Sequence, residues 1–113
     1  MKNRFQIKWT QVAAIDLSEI IEFIAIENPN TAKLICKKIK SEVSQLKLLP
    51  FRGRIVPEFE AQGFLIFREL IVAPWRAIYR VSENRILILG VIDSRMNVED
   101  ILLNRIIRGG QTE

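Results

Sequence analysis

Histidine is absent from the 113-residue chain, and cysteine occurs once, as Cys36. Without imidazole no side chain ordinarily titrates near neutrality. Proton transfer would fall to Glu, Asp, Lys, Tyr or an arginine-stabilised group, and Ser-His-Asp or Cys-His nucleophile systems are excluded. One cysteine cannot form an internal disulfide, and with no histidine beside it no zinc cluster can assemble. Neither a metal nor another cofactor is expected. No run of about 18 uncharged apolar residues exists to cross a bilayer, and the opening MKNRFQIKW lacks the apolar stretch of a signal peptide. The expectation is a soluble, cytoplasmic protein folding as one domain over residues 1–113, since 49% apolar composition suffices for one modest core.

Lysine is missing from everything after Lys47, whereas nine of the ten arginines lie at or after Arg52. The net charge of +4 favours anionic partners, either nucleic acid or an acidic polypeptide. Arginine presents a planar, permanently charged fork to carboxylate or phosphate, so the second half of the chain is the candidate working half.

RFQIKW alternates Phe5, Ile7 and Trp9 with polar residues, the period of a half-buried strand. Thr10 is placed to cap a helix over Gln11–Glu27, whose main apolar stripe is Ala13, Leu17, Ile20, Ile21 and Ile24. A second stripe, Val12, Ile15, Phe23 and Ile26, is interrupted by Glu19 and Glu22. It either packs internally or forms a partner-binding surface. Asn28-Pro29 closes this helix and opens another, with Ala32, Ile35, Cys36, Ile39, Val43 and Leu46 on one face and Lys33, Lys37, Lys40 and Lys47 elsewhere. Cys36 is read as a small core residue and the lysines as a solvated face.

Pro50, Gly53, Pro57 and Gly63 predict an ordered loop through PFRGRIVPEFEAQG. Three strands follow, 64–72, 76–81 and 86–93, joined closely enough for an antiparallel meander. ILILGVI has no polar alternation and reads as an interior strand. A short helix over about 98–108 is capped by Asn97, with Glu99 and Asp100 near its start and Arg105 and Arg108 near its end. Gly109-Gly110 stop it, leaving a tail over 109–113. The order β-α-α-β-β-β-α defines an α+β fold, a helical hairpin packed on a small, mainly antiparallel sheet.

The most unusual stretch is RELIVAPWRAIYRV, which keeps Arg68, Arg76 and Arg80 inside strand-forming sequence despite the cost of desolvating charge. Arg76 and Arg80 share a strand face about 13 Å apart, and Arg95, just past the last strand, can approach the start of the Arg76 strand. Such a cluster at one sheet end could grip separate anionic groups. The structural alternative is ion pairing, Arg68 with Glu69 and Arg76 with Glu58 or Asp93. FRGR could likewise brace its loop, Arg85 reads as a turn residue, and Tyr79, Trp9 and Trp75 read as packing residues.

Trp9 followed by DLSEIIEFI, Asn28-Pro29, LLPFRGRIVPE, RELIV, WRAIYRV and ILILGVIDSR, in that order and spacing, resemble the RelE/ParE superfamily of bacterial type II toxin-antitoxin systems. The likeness covers nearly the whole chain up to Arg95 and is nearest the ParE, or plasmid-stabilisation, branch. It implies a RelE/ParE-like toxin domain neutralised by a cognate antitoxin in a hetero-oligomer. ParE-like members inhibit DNA gyrase and arrest growth; RelE-like relatives cleave mRNA on the ribosome. By resemblance Arg76 and Arg95 align with target-facing arginines of the RelE-like enzymes, and Arg68 and Arg80 join them as target-binding candidates. The departure is DSRMNVED, which has no Tyr or His where the nucleases place one. A nuclease reading would use Arg76 and Arg95 on the developing phosphorane charge, with Glu58 or Glu69 as base. A binding toxin needs no proton relay, and the shortage of catalytic groups favours it. A degenerate member that only binds its antitoxin is the third reading. Antitoxin contact is expected at Val12, Ile15, Phe23 and Ile26.

Overall fold

The computed structural model describes residues 4–109, with side chains as far as Arg105. Strand β1 (Gln6–Trp9) leads into a hairpin of α1 (Gln11–Glu27) and α2 (Pro29–Ser44), followed by a 3-10 turn at Gln45–Lys47. Then come β2 (Arg54–Ile55), the one-turn helix α3 (Pro57–Glu60), and the strands β3 (Phe67–Val72), β4 (Trp75–Ser82) and β5 (Arg85–Asp93). Helix α4 (Val98–Gly109) follows, taking in Gly109, which was expected to begin the tail. The roles given to Arg108 and Gly110 lie outside the described residues and side chains.

The caps work as the sequence implies. The Thr10 hydroxyl accepts from Ala13 N–H at 3.3 Å and donates to the Ile88 carbonyl at 2.7 Å, so the residue that starts α1 also ties it to the sheet. Asn28 sends its N–H to the Ile24 carbonyl at 3.0 Å and accepts from Thr31 N–H at 3.0 Å, ending one helix and beginning the next. Asn97 accepts from Asp100 N–H at 3.1 Å, capping α4.

The sheet runs β1-β5-β4-β3-β2, with β1 parallel to β5 and every other pair antiparallel. β5 is therefore paired on both sides. Its register with β4 shifts between Ile78 and Tyr79, opposite Gly90 and Ile88, leaving Leu89 as an extra residue. The bulge resets the alternation: Ile86, Ile88 and Val91 face the helical hairpin, whereas Leu89 and Ile92 face the other side. On the hairpin side Leu17, Ile39, Val43, Leu70 and Tyr79 form one core. Val56, Phe59, Phe67, Ile78, Ile92 and Leu102 form a second core beneath α3 and α4. Each large side chain so buried contributes roughly 1.5–3 kcal/mol.

Two expectations are corrected. The stretch read as an ordered loop contains β2 and α3, because Val56 N–H joins the Phe67 carbonyl at 2.9 Å and the following Pro57 starts a turn that buries Phe59. Residues 64–66, expected to open β3, lie outside it and are exposed. Phe64 N–H instead closes back on the Phe59 carbonyl at 2.9 Å.

Beyond Trp9, β1 no longer covers β5, and the Val91 N–H there is taken by Asp16 of α1 at 2.9 Å. The same carboxylate receives the Arg105 guanidinium of α4 at 2.9 and 3.0 Å, and Arg105 also donates to the Leu89 carbonyl. A Cβ on Gly90 would stand 2.5 Å from the Arg105 guanidinium, so a larger residue here would displace the end of that side chain. Asp16→Ala is expected to cost about 2 kcal/mol through the unsatisfied Val91 amide and the lost α4 anchor, measurable by urea unfolding.

Candidate functional site

Arg76 is buried on the face of β4 that carries the second core, between Ile71 of β3 and Ile92 of β5. Its Nη1 and Nη2 form a two-bond fork on Glu58 of α3 at 2.9 and 2.7 Å, and its Nε donates to Glu69 of β3 at 2.6 Å. The other oxygen of Glu69 accepts from Arg54 Nε of β2 at 2.6 Å. Two guanidinium groups and two carboxylates thus alternate in one network of zero formal charge. Its centre, Glu69, is shut off from solvent, and its ends, Arg54 and Glu58, reach water. The network clamps α3 and β2 to the sheet. Glu58 is held below its ordinary value of 4.5, first by its hydrogen bonds from Arg76, and Arg76 is correspondingly raised.

The remaining arginines are dispersed. Arg68 and Glu69, adjacent in sequence, point to opposite faces, so the pair considered between them does not form. Arg68 instead donates to the Gly53 and Phe51 carbonyls at 2.7 and 3.3 Å, with its guanidinium 5.0 Å from the Phe51 ring centroid. Arg80 shares the Arg76 face, beside Phe67 and Leu87; it is half-buried and makes no ion pair among the described residues. Arg95 is exposed past β5 and folds back on Asp93, with contacts of 2.8 and 2.5 Å. Hydrogen bonds from Arg95 lower Asp93 to about 2. The expected cluster of free guanidinium groups at one sheet margin is therefore corrected: Arg76, Arg95 and Arg68 are each engaged by groups of the chain itself. A buried charge on a sheet is costly unless paired, and the β3–β4 pairing brings Glu69 within reach of Arg76.

The loop before β2 is organised by Tyr79, whose hydroxyl donates to the Pro50 carbonyl and accepts from Gly53 N–H, both at 2.9 Å. Burial raises Tyr79 above its ordinary value of 10. Sequence reasoning missed Arg54, Asp16 and the central part of Glu69. The available signal was Glu69 itself, an acid within the apolar run of RELIV, where an uncompensated carboxylate would not be retained. On the opposite surface Val12, Ile15, Phe23 and Ile26 are exposed, Phe23 and Ile26 at 77% and 81%, with Leu34 of α2 at 68%. The second stripe of α1 is therefore not packed internally.

A helical hairpin on one sheet face, with a second small core and a buried arginine network on the other, defines a RelE/ParE-like α+β protein. A solved structure described as the chromosomal ParDE TA system from P. aeruginosa is 25% identical, covers 81% of this chain and 98% of that one, and superposes with a TM-score of 0.67. The model of the ParE toxin family, from the type II toxin-antitoxin system parDE, matches residues 7–98, and the chain belongs to that family. A search of curated protein sequences finds no match.

Because Glu58 is depressed in the folded state, the unfolded chain binds the more protons as pH falls through its ordinary value. The stability contributed by the Arg76–Glu58 fork is fully present above about pH 4.5 and is lost below it. Glu58→Gln is expected to flatten the acid limb of a stability-against-pH profile below that point, as read by chemical unfolding at each pH.

Proposed function

We propose that this ParE-family toxin acts by binding DNA gyrase rather than by cutting RNA, and that a cognate antitoxin silences it. The observation that carries the reading is the mutual neutralisation of Arg76 and Glu58. The guanidinium that would meet a phosphorane is committed to two carboxylates, and the candidate base is made a weaker one by the same fork. A toxin that works by shape and charge needs no such pair to be free. Arg80 and the exposed Arg95 are the target-facing groups in this proposal, while Arg76 and Arg68 hold the surface that presents them. Val12, Ile15, Phe23 and Ile26 supply the apolar antitoxin surface, since an amphipathic helix buries such a stripe along its length.

Expression of the chain should arrest growth, and co-expression of the product of the adjacent reading frame should relieve it. Purified protein should impair gyrase supercoiling and leave mRNA intact on ribosomes. Arg80→Ala and Arg95→Ala should weaken that inhibition without unfolding the protein. Codon-positioned mRNA cuts with unimpaired gyrase would replace this reading by the ribonuclease one. Inactivity in both assays with antitoxin binding retained would leave a family member that only forms the complex.

A further inference from the structure

The free side of β1 combines an open backbone edge with cationic and apolar side chains. Gln6 N–H donates to the Asn84 carbonyl at 2.9 Å and Thr10 N–H to the Ile88 carbonyl at 3.1 Å. In a parallel ladder each residue turns its N–H and C=O to the same neighbour, so Gln6 and Lys8 address β5. Ile7 and Trp9 then direct their N–H and C=O groups away from the sheet, and no strand among the described residues pairs with that side. Just before them, Phe5 N–H is already bonded to the Lys47 carbonyl at 3.0 Å, a first rung that is not continued among the described residues.

The space beside this edge is a cleft of about 240 Å³ between β1 and α2, lined by Ile7, Trp9, Val43, Ser44, Lys40 and Lys47. Its lining is apolar along Ile7, Trp9 and Val43, carries two ammonium groups, and contains no carboxylate. Lys37 and Lys33 extend the positive charge along α2, at helical spacing from Lys40. Glu42, the one acid nearby on that helix, is taken by Arg52 at 3.0 Å. The opposite edge is blunted, since β2 has only two residues.

We infer that the free edge of β1 accepts an extended, acidic segment of a partner protein as an added strand. Its backbone bonds the Ile7 and Trp9 rungs, its apolar side chains cover the cleft floor, and its carboxylates meet Lys40 and Lys47. Nucleic acid fits less well: it cannot use the peptide rungs, and Trp9 is half-buried against the hairpin core rather than presented as a stacking platform. The inference deepens the antitoxin reading and rests on it for the owner of the strand, though not for the strand's chemistry.

The test uses the full ¹⁵N-labelled chain with three probes: a ten-residue peptide alternating Val and Glu, its Val/Lys counterpart, and single-stranded DNA. The Glu peptide is expected to bind at least tenfold tighter than the Lys peptide, to protect the Ile7 and Trp9 amides from hydrogen exchange, and to lose tenfold or more with Lys40→Glu/Lys47→Glu. Failure of both peptides to bind, equal binding of the two, binding that leaves those amides exchanging as before, or displacement by DNA would each overturn the inference. The complex with the product of the adjacent reading frame separates the two readings. If that complex forms while Ile7 and Trp9 exchange freely, the edge inference fails and the antitoxin reading stands. If no complex forms, the antitoxin reading fails and the peptides alone decide the edge.

Discussion

Glu69→Ala is expected to cost about 3–5 kcal/mol of unfolding free energy, because it breaks a buried ion pair and leaves the Arg76 side chain, only 8% exposed, with the Glu58 fork alone. Glu69 itself has no solvent exposure and accepts from two arginines, so its loss removes the centre of the network rather than one contact. The double variant Glu69→Met/Arg76→Met should recover most of that loss. Arg54 and Glu58, with side chains 60% and 33% exposed, can return to water, whereas the two inner positions then pack as apolar residues. Urea unfolding of the wild type, Glu69→Met, Arg76→Met and the double variant closes a thermodynamic cycle, and an additive result would show that the two residues do not act together. The functional consequence is direct. In a test of the proposed function, an inactive Arg76→Ala would report damage to the fold before a target contact, whereas Arg95, exposed and paired only at the surface, can be removed at little cost to stability.

Gly53→Ala carries the second large expected effect, about 2–3 kcal/mol, or roughly 10–20 °C in melting temperature for a domain of this size. A Cβ at this position would lie 2.5 Å from the Glu69 carbonyl oxygen and 2.8 Å from the Tyr79 hydroxyl. Both neighbours are fixed, the first in the β3 ladder and the second by bonds to Pro50 and Gly53, so the loop must retreat and release Arg68 as well. Tyr79→Phe is the companion measurement. It keeps the ring in the core and leaves the Pro50 carbonyl and Gly53 amide unsatisfied, for about 1–3 kcal/mol. If Gly53→Ala melted with the wild type, the close approach of the loop to the sheet would not be what holds it.

Much of the scaffold was legible because local chemistry repeats along the chain. Thr10, Asn28 and Asn97 announce helix starts by their ability to accept a backbone N–H, and Ala13, Leu17, Ile39 and Val43 declare inward faces by period. The interior position of β5 was readable from ILILGVI, but the means was not. The extra residue at Leu89, which turns apolar side chains to both cores, depends on pairing with β4 and has no local signature. The one-turn helix α3 was hidden for a similar reason. Four residues have too little intrinsic helical preference to be seen, and Pro57–Glu60 is held by Phe59 beneath it and Arg76 beside it.

The sequence by itself determined the types of the longer elements, the helical hairpin, the family likeness and the poverty of proton-transfer groups, since these follow from residue identity and spacing along one segment. Only the tertiary structure decided which arginines are free. Arg76 is joined to Glu58 and Glu69 across 18 and 7 residues, and Arg105 to Asp16 across 89, so whether a guanidinium faces solvent or a carboxylate is set by strand order and register. The chemical kind of a charged residue is local, but the compensation of its charge is not, because Coulomb attraction between buried groups acts through space and requires only that the fold bring them together.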